Sequence, residues 1–397
     1  MEPMDSQDSK TKPIRIFIIA GEPSGDLLGA RLMAALQNKS DKNFEFCGIG
    51  GERMVENGLQ SEFPISELSV MGIAEILPQI FNLRRRVKET VATLTNLAPD
   101  ILVTIDSPGF CFAVLKRLKK TDDCIRVHYV APTVWAWRPG RVRKFGREFD
   151  HLLTLLPFEP QYFEPVNLPS TFVGHAVLES PVNATGGPSF RTRFNINDDI
   201  PLICVLPGSR RGEVRRHIRP FFQAIDTLRK RFPSIRVVIP TIASLRIEIE
   251  ELVSDWNGDV VIVEGESDKF DAMAASNVAL AASGTVSLEL ALNRLPAVIA
   301  YRVNIVTSWI VKLLIKVRYA NIVNILLDQE AVPEFIQGKC TPDRLAASLE
   351  ELLEDRNAYE KQQVAAAKAM KMLRAGEELP SNVAAATILS LLSKEGA

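Results

Sequence analysis

Short apolar, β-branched runs recur along the chain, and each ends in a turn that precedes a segment with helical spacing. Residues 14–20 form the first run and end at Gly21, after which residues 26–37 carry apolar side chains at helical intervals. Residues 100–105 repeat the pattern and end at Asp106. Alternating strands and helices predict a parallel sheet with helices on both faces and with ligands at the carboxyl ends of its strands.

The same alternation restarts after a segment rich in Ser, Pro, Asn, Thr and Gly. Residues 201–206 predict a strand that leads into Pro207-Gly-Ser-Arg210, and a helix and further short strands follow. We therefore expect an α/β protein with two Rossmann-like, doubly wound domains that face a cleft. The predicted boundaries are a disordered tail over 1–13, an N-terminal domain over 14–180, a linker over 181–200 and a C-terminal domain with a helical tail over 201–397.

The composition excludes several classes of protein. The 397 residues contain 47 Lys and Arg against 48 Asp and Glu, and 46% are hydrophobic, which excludes global disorder and a dedicated polycation. No nucleic-acid partner is therefore expected. The five cysteines include no Cys-x-x-Cys pair, which favours a reducing compartment. The polar start of the sequence lacks a signal-peptide core and no apolar run could span a membrane, so we predict a cytoplasmic protein.

Familiar cofactor and metal motifs are absent from the sequence. It has no G-x-G-x-x-G after the first strand, no G-x-x-x-x-G-K-[ST] and no H-E-x-x-H. Ser24 does not fit the G-x-S-x-G pattern of serine hydrolases. The four histidines are scattered without ligand spacing. We expect neither a bound cofactor nor a catalytic metal.

Two turns of the second half are predicted to bind a sugar nucleotide. Around Arg210, two adjacent guanidinium groups stand at a helix N-terminus, where an anion would offset their unfavourable interaction with the helix dipole. The turn before Glu289 can present its backbone to a diphosphate, and Glu289 itself can accept hydrogen bonds from ribose. An ordinary basic helix start and a Ser/Thr-capped helix are the alternatives. The predicted contacts are Gly208, Ser209, Arg210, Ser283, Gly284, Thr285 and Glu289.

The first half offers a glycine-bearing turn and an acidic residue. In Gly21-Glu-Pro-Ser-Gly-Asp26 the glycines allow backbone to approach a ligand, although an ordinary capped turn uses the same residues. Asp106 ends a strand, so its carboxylate is expected at the active edge of the sheet as general base for a substrate hydroxyl. A capping or turn aspartate is the alternative for Asp106. His128 and His175 are the fallback bases.

An apolar stretch over 70–83 is followed directly by three arginines and a lysine. Apolar anchors beside a basic cluster are typical of a helix that lies in an anionic membrane surface, and a buried amphipathic helix is the alternative. For a second apolar stretch, over 309–317, we favour the buried helix. The predicted docking residues are Val70, Met71, Ile73, Ile76, Leu77, Ile80, Phe81, Arg84, Arg85 and Arg86.

Eight motifs, in chain order from about residue 14 to beyond 337, resemble the lipid-A-disaccharide synthase family. They are Gly21-Glu-Pro-Ser-Gly-Asp26, Val70-Met-Gly-Ile73, Ile105-Asp-Ser-Pro108, His128-Tyr-Val-Ala-Pro-Thr-Val-Trp-Ala-Trp137, Leu156-Pro-Phe-Glu159, Val173-Gly-His175, Leu206-Pro-Gly-Ser-Arg210 and Ala282-Ser-Gly-Thr285. The Trp-Ala-Trp stretch and the first turn are the most specific of these to the family.

The resemblance implies an inverting, metal-independent glycosyltransferase with the GT-B fold. Its substrates would be UDP-2,3-diacylglucosamine as donor and 2,3-diacylglucosamine 1-phosphate as acceptor, and its products a β(1→6) disaccharide and UDP. The resemblance implies that Asp106 is the general base, that Arg210 binds the diphosphate and that Asn324 lies near the nucleotide. The apolar stretch would dock on the cytoplasmic face of the inner membrane. The acceptor contacts are expected to be Glu22, Ser24, Gly25 and Asp26.

The sequence departs from the family pattern at two positions, and it leaves alternatives open. Gly109 stands where many relatives have a second acidic residue, and Val323 precedes Asn324 where a proline is expected. Another GT-B enzyme acting on a UDP-sugar, either a lipid-linked sugar transferase or a 2-epimerase, is one alternative. A non-catalytic nucleotide-sugar-binding module is the other. A homodimer, with the C-terminal segment crossing to the partner, is also left open.

Overall fold

The computed structural model describes residues 12–68, 73–119, 123–137, 139–302 and 317–394, and for residues 73–80 it describes the backbone alone. Most of the predicted N-terminal tail and of the apolar stretch over 309–317 therefore lies outside the described residues. The chain divides into two compact units, the first comprising Met1–Ala176 with Arg374–Ala397 and the second comprising Val177–Leu373.

The first unit is built on a parallel sheet of seven strands in the order β3-β2-β1-β4-β5-β6-β7. Its strands are β1 (Ile14–Ala20), β2 (Phe44–Ile49), β3 (Gln60–Ser61), β4 (Ile101–Ile105), β5 (Ile125–Tyr129), β6 (His151–Thr154) and β7 (Ser170–Phe172). The helices between them are α1 (Pro23–Lys39), α2 (Glu52–Glu56), α3 (Ile73–Leu97), α4 (Pro108–Leu115) and α5 (Val142–Glu148). This confirms the predicted doubly wound domain.

Both faces of the first sheet are covered. Ile16 and Ile18 of β1 belong to a buried cluster that includes α1, whereas Phe17 and Ile19 belong to a second cluster that includes α3, α4 and α5. Side chains alternate between the faces of a strand, so these clusters lie on opposite faces. Every residue of β4 and β5 is buried, which explains why β4, apart from Thr104, is apolar rather than alternating, and why the polar side chains of β5, Arg126 and His128, lie in the interior.

The second unit repeats the architecture with six parallel strands in the order β10-β9-β8-β11-β12-β13. The strands are β8 (Leu202–Leu206), β9 (Arg236–Thr241), β10 (Val260–Glu264), β11 (Val278–Ala282), β12 (Ala297–Tyr301) and β13 (Glu334–Ile336). The helices are α6 (Gly186–Arg193), α7 (Arg211–Arg229), α8 (Ala243–Val253), α9 (Glu266–Ala275), α10 (Val286–Leu292), α11 (Ile322–Leu327), α12 (Pro342–Glu354) and α13 (Arg356–Met372). The second predicted doubly wound domain is thus confirmed.

The structure departs from the predicted boundaries in two places. The segment predicted as a linker over 181–200 contains α6, which packs against α9 and buries Phe190. The last helix, α14 (Pro380–Lys394), packs against α1 in the first unit instead of extending the C-terminal domain. Ala384 and Ala385 are fully buried between the two helices, and their small side chains allow the helices to approach closely. None of the described helices is both long and apolar enough to cross a membrane.

Candidate active site

Strained turns follow adjacent strands of the first sheet. Asp106 and Ser107 follow β4 with φ angles of 48° and 45°, and Val130 follows β5 with a φ of 82°. Left-handed backbone in residues other than glycine is unfavourable and concentrates at functional sites. Gly21, which follows β1, lies so close to Ser107 that a Cβ atom on the glycine would overlap the serine Oγ. Because the strand order reverses between β1 and β4, this edge is where doubly wound sheets bind ligands.

Asp106 is held in this turn by its own backbone. Its N–H donates to the carbonyl of Tyr129 at 3.0 Å, and its carbonyl accepts from the Cys111 thiol at 3.5 Å. Burial raises the pKa of the Asp106 carboxyl above its ordinary value, and a hydrogen bond from the Ser107 backbone partly offsets that effect. A half-buried carboxylate with a raised pKa at the active edge is suited to proton abstraction.

Of the predicted acceptor residues, Asp26 has a structural role. It is buried, and its carboxylate accepts hydrogen bonds from the backbone N–H groups of Gly51 at 2.7 Å, Arg53 at 3.2 Å and Met54 at 3.1 Å. These are the unpaired donors at the start of α2, so Asp26 caps that helix from a distant part of the chain. The carboxylate is therefore engaged within the protein as a helix cap, in place of the predicted contact with an acceptor.

The other three residues of the turn lie at the beginning of α1. The helix begins at Pro23, earlier than predicted, because proline is compatible with the first turn. Gly25 is buried, and a Cβ there would come within 3.3 Å of the Ala20 Cβ, so this glycine allows α1 to pack closely on the sheet. Glu22 occupies the N-cap position and Ser24 is exposed. Ser24 is therefore the exposed polar side chain of this turn that is open to a ligand.

Glu159, to which the sequence assigns no role, links two loops at the active edge. Its Oε1 accepts from the indole N–H of Trp135 at 3.3 Å, and its Oε2 accepts from the backbone N–H groups of Leu155 at 3.0 Å and Leu156 at 2.9 Å. Burial raises the pKa of the Glu159 carboxyl to about 7. The Trp-Ala-Trp segment after β5 is thereby tied to the turn after β6.

Burial makes the two fallback bases weak proton acceptors. His128 lies inside β5, fully buried, with its Nδ1 2.7 Å from the Thr104 Oγ1. Burial lowers the pKa of His128 to about 3 and that of His175 to about 4. Both rings are therefore neutral at physiological pH, and His128 serves as a satisfied core residue.

In the second unit, the turn after β8 presents an arginine to solvent. Gly208 has a φ of 123°, and a Cβ there would lie 2.6 Å from the Glu213 Cβ, so only glycine fits. Ser209 and Arg210 are exposed, the Arg210 side chain to 59%. The Glu213 Oε1 lies 3.3 Å from Arg210 Nη1 and accepts from the Tyr301 hydroxyl at 3.2 Å. This buried carboxylate orients the guanidinium while leaving most of it free to bind an anion.

The turn after β11 lies beside it, because β8 and β11 are adjacent strands. The Ser283 hydroxyl donates to a backbone carbonyl just before α11 at 3.1 Å, and Gly284 and Thr285 are exposed. Glu289 pairs with the Lys269 ammonium at 2.8 Å. The sequence predicts that Glu289 accepts hydrogen bonds from ribose hydroxyls, and a carboxylate so paired keeps only part of that capacity.

Asn324 has a role other than the predicted contact with the nucleotide. It is fully buried, and its Oδ1 accepts from the N–H groups of Ala331 and Val332, both at 2.9 Å. Its Nδ2 donates to the Val332 carbonyl at 2.8 Å and to the Glu334 carboxylate at 2.6 Å. The amide has no remaining capacity for a ligand, so Asn324 fastens α11 to β13 instead.

The predicted docking element is described only in part. Phe81 is 78% exposed, and Arg84 and Arg85 are exposed beside it on α3. Arg86 instead forms a paired contact with Glu67, at 2.7 Å from Nε to Oε2 and 2.5 Å from Nη2 to Oε1. Arg86 is therefore engaged within the protein. Val70 and Met71 lie outside the described residues, as do the side chains of Ile73, Ile76, Leu77 and Ile80.

Solved structures with this architecture include an epimerase and a glycosyltransferase. One is UDP-GlcNAc 2-epimerase from Neisseria meningitidis bound to UDP-GlcNAc, with a TM-score of 0.63 and 16% identity, covering 96% of this chain and 100% of that one. Another is a glycosyltransferase from Rickettsia africae, with a TM-score of 0.56 and 11% identity, covering 96% and 98%. The two doubly wound units, each with a strained or glycine-bearing turn at its switch point, define a protein of the GT-B fold class.

The sequence comparisons identify the family within that class. A family model described as lipid-A-disaccharide synthetase matches residues 16–388. The lipid-A-disaccharide synthase of Rhodospirillum centenum is 48% identical over 384 residues, with 96% of each chain covered, and that of Paramagnetospirillum magneticum is 46% identical, with 95% of this chain and 97% of the relative covered. This chain belongs to the lipid-A-disaccharide synthase family and is a glycosyltransferase.

Proposed function

We propose that this enzyme joins UDP-2,3-diacylglucosamine to 2,3-diacylglucosamine 1-phosphate, forming the β(1→6) disaccharide 1-phosphate and releasing UDP. The family supports the substrates, because the match extends over nearly the whole chain. The main structural support is Asp106, a carboxylate in left-handed backbone at the switch point of the first sheet. Strain retained at the edge where such sheets bind ligands favours a functional role over an ordinary turn.

In the proposed reaction, Asp106 removes the proton from the 6-hydroxyl of the acceptor. The freed oxygen attacks the anomeric carbon of the donor, the bond from that carbon to the diphosphate oxygen breaks, and the configuration inverts. Burial raises the pKa of the Asp106 carboxyl, which makes it a better base than an exposed aspartate. Glu22 and Ser24, at the start of α1, are the proposed polar contacts to the acceptor.

The departing UDP carries the negative charge that develops in this reaction. Arg210, together with the backbone around Gly208 and Ser209, is proposed to bind that charge from the turn after β8. Ser283, Gly284 and Thr285 are proposed to bind it from the adjacent turn. Fixed donors directed at developing charge lower the barrier without reorganisation, so electrostatic stabilisation is proposed to act where other enzymes use a metal ion.

We also propose that the first unit docks on an anionic membrane surface, since both substrates carry acyl chains. Phe81, Arg84 and Arg85 are exposed on α3, and the turn after α4 and the helix α5 add further exposed cations. Burial and the nearby charges of Lys116 and Arg141 lower the pKa of Lys144, as expected where cations crowd together. Such a surface suits the anionic cytoplasmic face of the inner membrane. Within the described part of the chain, these cations are Lys116, Arg117 and Lys119 after α4 and Arg143, Lys144 and Arg147 on α5.

Mass spectrometry of the reaction mixture tests the proposed reaction. The purified enzyme is incubated in detergent with the two diacylated substrates, with a chelator present and no added metal, and an Asp106→Asn sample serves as the matched control. A disaccharide phosphate and equimolar UDP are expected from the wild type alone. UDP release without disaccharide would contradict the proposed acceptor, and activity that chelator abolishes would contradict metal independence.

A further inference from the structure

A buried histidine on α7 connects two loops of the second unit. His217 has no exposed surface. Its Nδ1 lies 2.8 Å from the carbonyl oxygen of Pro207, in the turn after β8. Its Nε2 accepts from the backbone N–H of Arg302, directly after β12, at 2.9 Å. One side chain therefore contacts the backbone at the ends of two different strands.

The hydrogen bonds fix the protonation state of this ring. A backbone N–H can only donate, so the Nε2 of His217 must be the acceptor and carries no proton. The proton is then on Nδ1, which donates to the Pro207 carbonyl. Only the neutral ring can make both bonds, because a second proton on Nε2 would face the N–H of Arg302.

The two loops that His217 joins stand on either side of the turn after β11, which forms the proposed diphosphate site together with the turn after β8. β8 and β12 are not neighbours, since β11, with Ser283 in its following turn, lies between them. One turn before His217 on α7, Glu213 accepts from the Tyr301 hydroxyl, so α7 contacts the end of β12 a second time. These contacts hold the first turns of α7, and with them Arg210, against the end of β12.

We propose that His217 is a positioning residue for the diphosphate of the sugar nucleotide: in its neutral form it holds the turn after β8 in the conformation that binds the donor, and its protonation releases that turn. The inference rests on the proposed donor site. His217 touches no substrate atom in this scheme, because it acts through the backbone of Pro207 and the orientation of Arg210.

The groups around the ring favour the neutral form over most of the physiological range. Glu213 and Arg216 face it from α7, and Tyr301 and Arg302 face it from the end of β12. Burial, followed by the charges of Arg216 and Arg302, lowers the pKa of His217, while the bond to Pro207 and the charge of Glu213 oppose that shift. Acidification is therefore required to break the connection.

Three substitutions separate the two hydrogen bonds. His217→Phe keeps a flat ring against Phe221 and Tyr301 but removes both bonds. His217→Asn can still donate to Pro207, and His217→Gln can still accept from Arg302. The matched control is His151→Phe, which removes another buried histidine, at the start of β6 in the first unit.

Calorimetric titration with UDP, together with steady-state kinetics at varied donor concentration, tests the proposal. We expect His217→Phe to weaken UDP binding and raise the donor KM by about tenfold, the effect of one to two lost hydrogen bonds, while kcat changes less than about threefold. His217→Asn and His217→Gln should give UDP affinities and donor KM values between those of the wild type and of His217→Phe, and His151→Phe should leave the UDP affinity unchanged.

The pH dependence separates positioning from a general loss of stability. Equilibrium binding of UDP-2,3-diacylglucosamine should weaken in the wild type as the pH falls below the ordinary histidine range, and His217→Phe should lack that dependence. Wild-type affinity in a cooperatively folded His217→Phe variant would overturn the proposal, and His217→Gln provides the same comparison if the phenylalanine variant does not fold. A wild-type enzyme that bound no UDP would instead overturn the donor site itself.

Discussion

Gly21 and Ser107 lie in contact at the ends of two adjacent parallel strands, with no space between them for a side chain on the glycine. Ser107 is in left-handed backbone, and so is its neighbour Asp106. The turn after β1 thus contacts the turn after β4 at the point where the backbone is strained, and the proposed base Asp106 lies in that strained segment. The absence of a side chain at position 21 allows the two turns to meet.

Gly21→Ala is expected to displace the turn after β4. Overpacking at this contact should lower the free energy of unfolding by about 1–3 kcal/mol and reduce kcat by more than the loss of folded protein explains. Unfolding experiments measure the change in stability, and steady-state kinetics with one substrate varied at a time measure the change in kcat. Gly109→Ala is the control, because nothing lies within 4 Å of its Cβ position on the exposed start of α4. Equal kcat values for both variants would show that the contact does not position Asp106.

Asp106→Asn is expected to reduce turnover by at least about a hundredfold while leaving UDP affinity unchanged, because it removes the proposed base and keeps its size. In the wild type, kcat/KM should rise with pH as the carboxylate forms. Burial raises the pKa of Asp106, so this rise should lie at higher pH than for an ordinary aspartate. Near-normal turnover in the asparagine variant would assign the base to another residue.

Arg210→Ala is expected to weaken UDP binding by about tenfold to a hundredfold, since a charge-assisted contact to the diphosphate is lost. Arg211→Ala provides a matched control on the next residue. The Arg211 side chain is 72% exposed and lies 3.6 Å from Glu248, so its loss should change UDP affinity little. Equal effects of the two substitutions, measured by calorimetry, would indicate only a general electrostatic attraction.

Asp26→Ala is expected to lower the free energy of unfolding by about 3 kcal/mol, because three backbone N–H groups lose their acceptor. Ser24→Ala, on the exposed side of the same turn, should leave stability within about 0.5 kcal/mol of the wild type and raise the acceptor KM. Chemical denaturation and acceptor titration distinguish the two roles. An unchanged acceptor KM in Ser24→Ala would remove that residue from the proposed site.

The double variant Arg84→Glu/Arg85→Glu is expected to lose about tenfold or more of its binding to vesicles that contain phosphatidylglycerol, since each basic residue near such a surface contributes about 1 kcal/mol. Lys361→Glu/Lys368→Glu makes the same change in net charge on exposed positions of α13 and is the control. Cosedimentation with these vesicles measures the membrane binding of both double variants. A comparable loss in the control would contradict a specific docking surface on α3.

The candidate positions of Asp106 and Arg210 could be predicted because they depend on local pattern. Each follows a short apolar strand and precedes a helix, and parallel strands bring such turns to one edge of the sheet. The roles of Asp26 and Asn324 could not be predicted in the same way. The partners of Asp26 lie 25 to 28 residues further along the chain, and no local pattern shows which backbone groups will face a carboxylate after folding.

The sequence by itself determined the alternation of strands and helices, the two parallel sheets and the turns at their carboxyl ends, because apolar periodicity and turn chemistry act between near neighbours. Only the tertiary structure decided which segments share a unit and which polar groups are already engaged. The apolar face of α14 could cover either sheet, and packing against α1 made the choice. His217 likewise acquired its role only when folding brought Pro207 and Arg302 to the two sides of its ring.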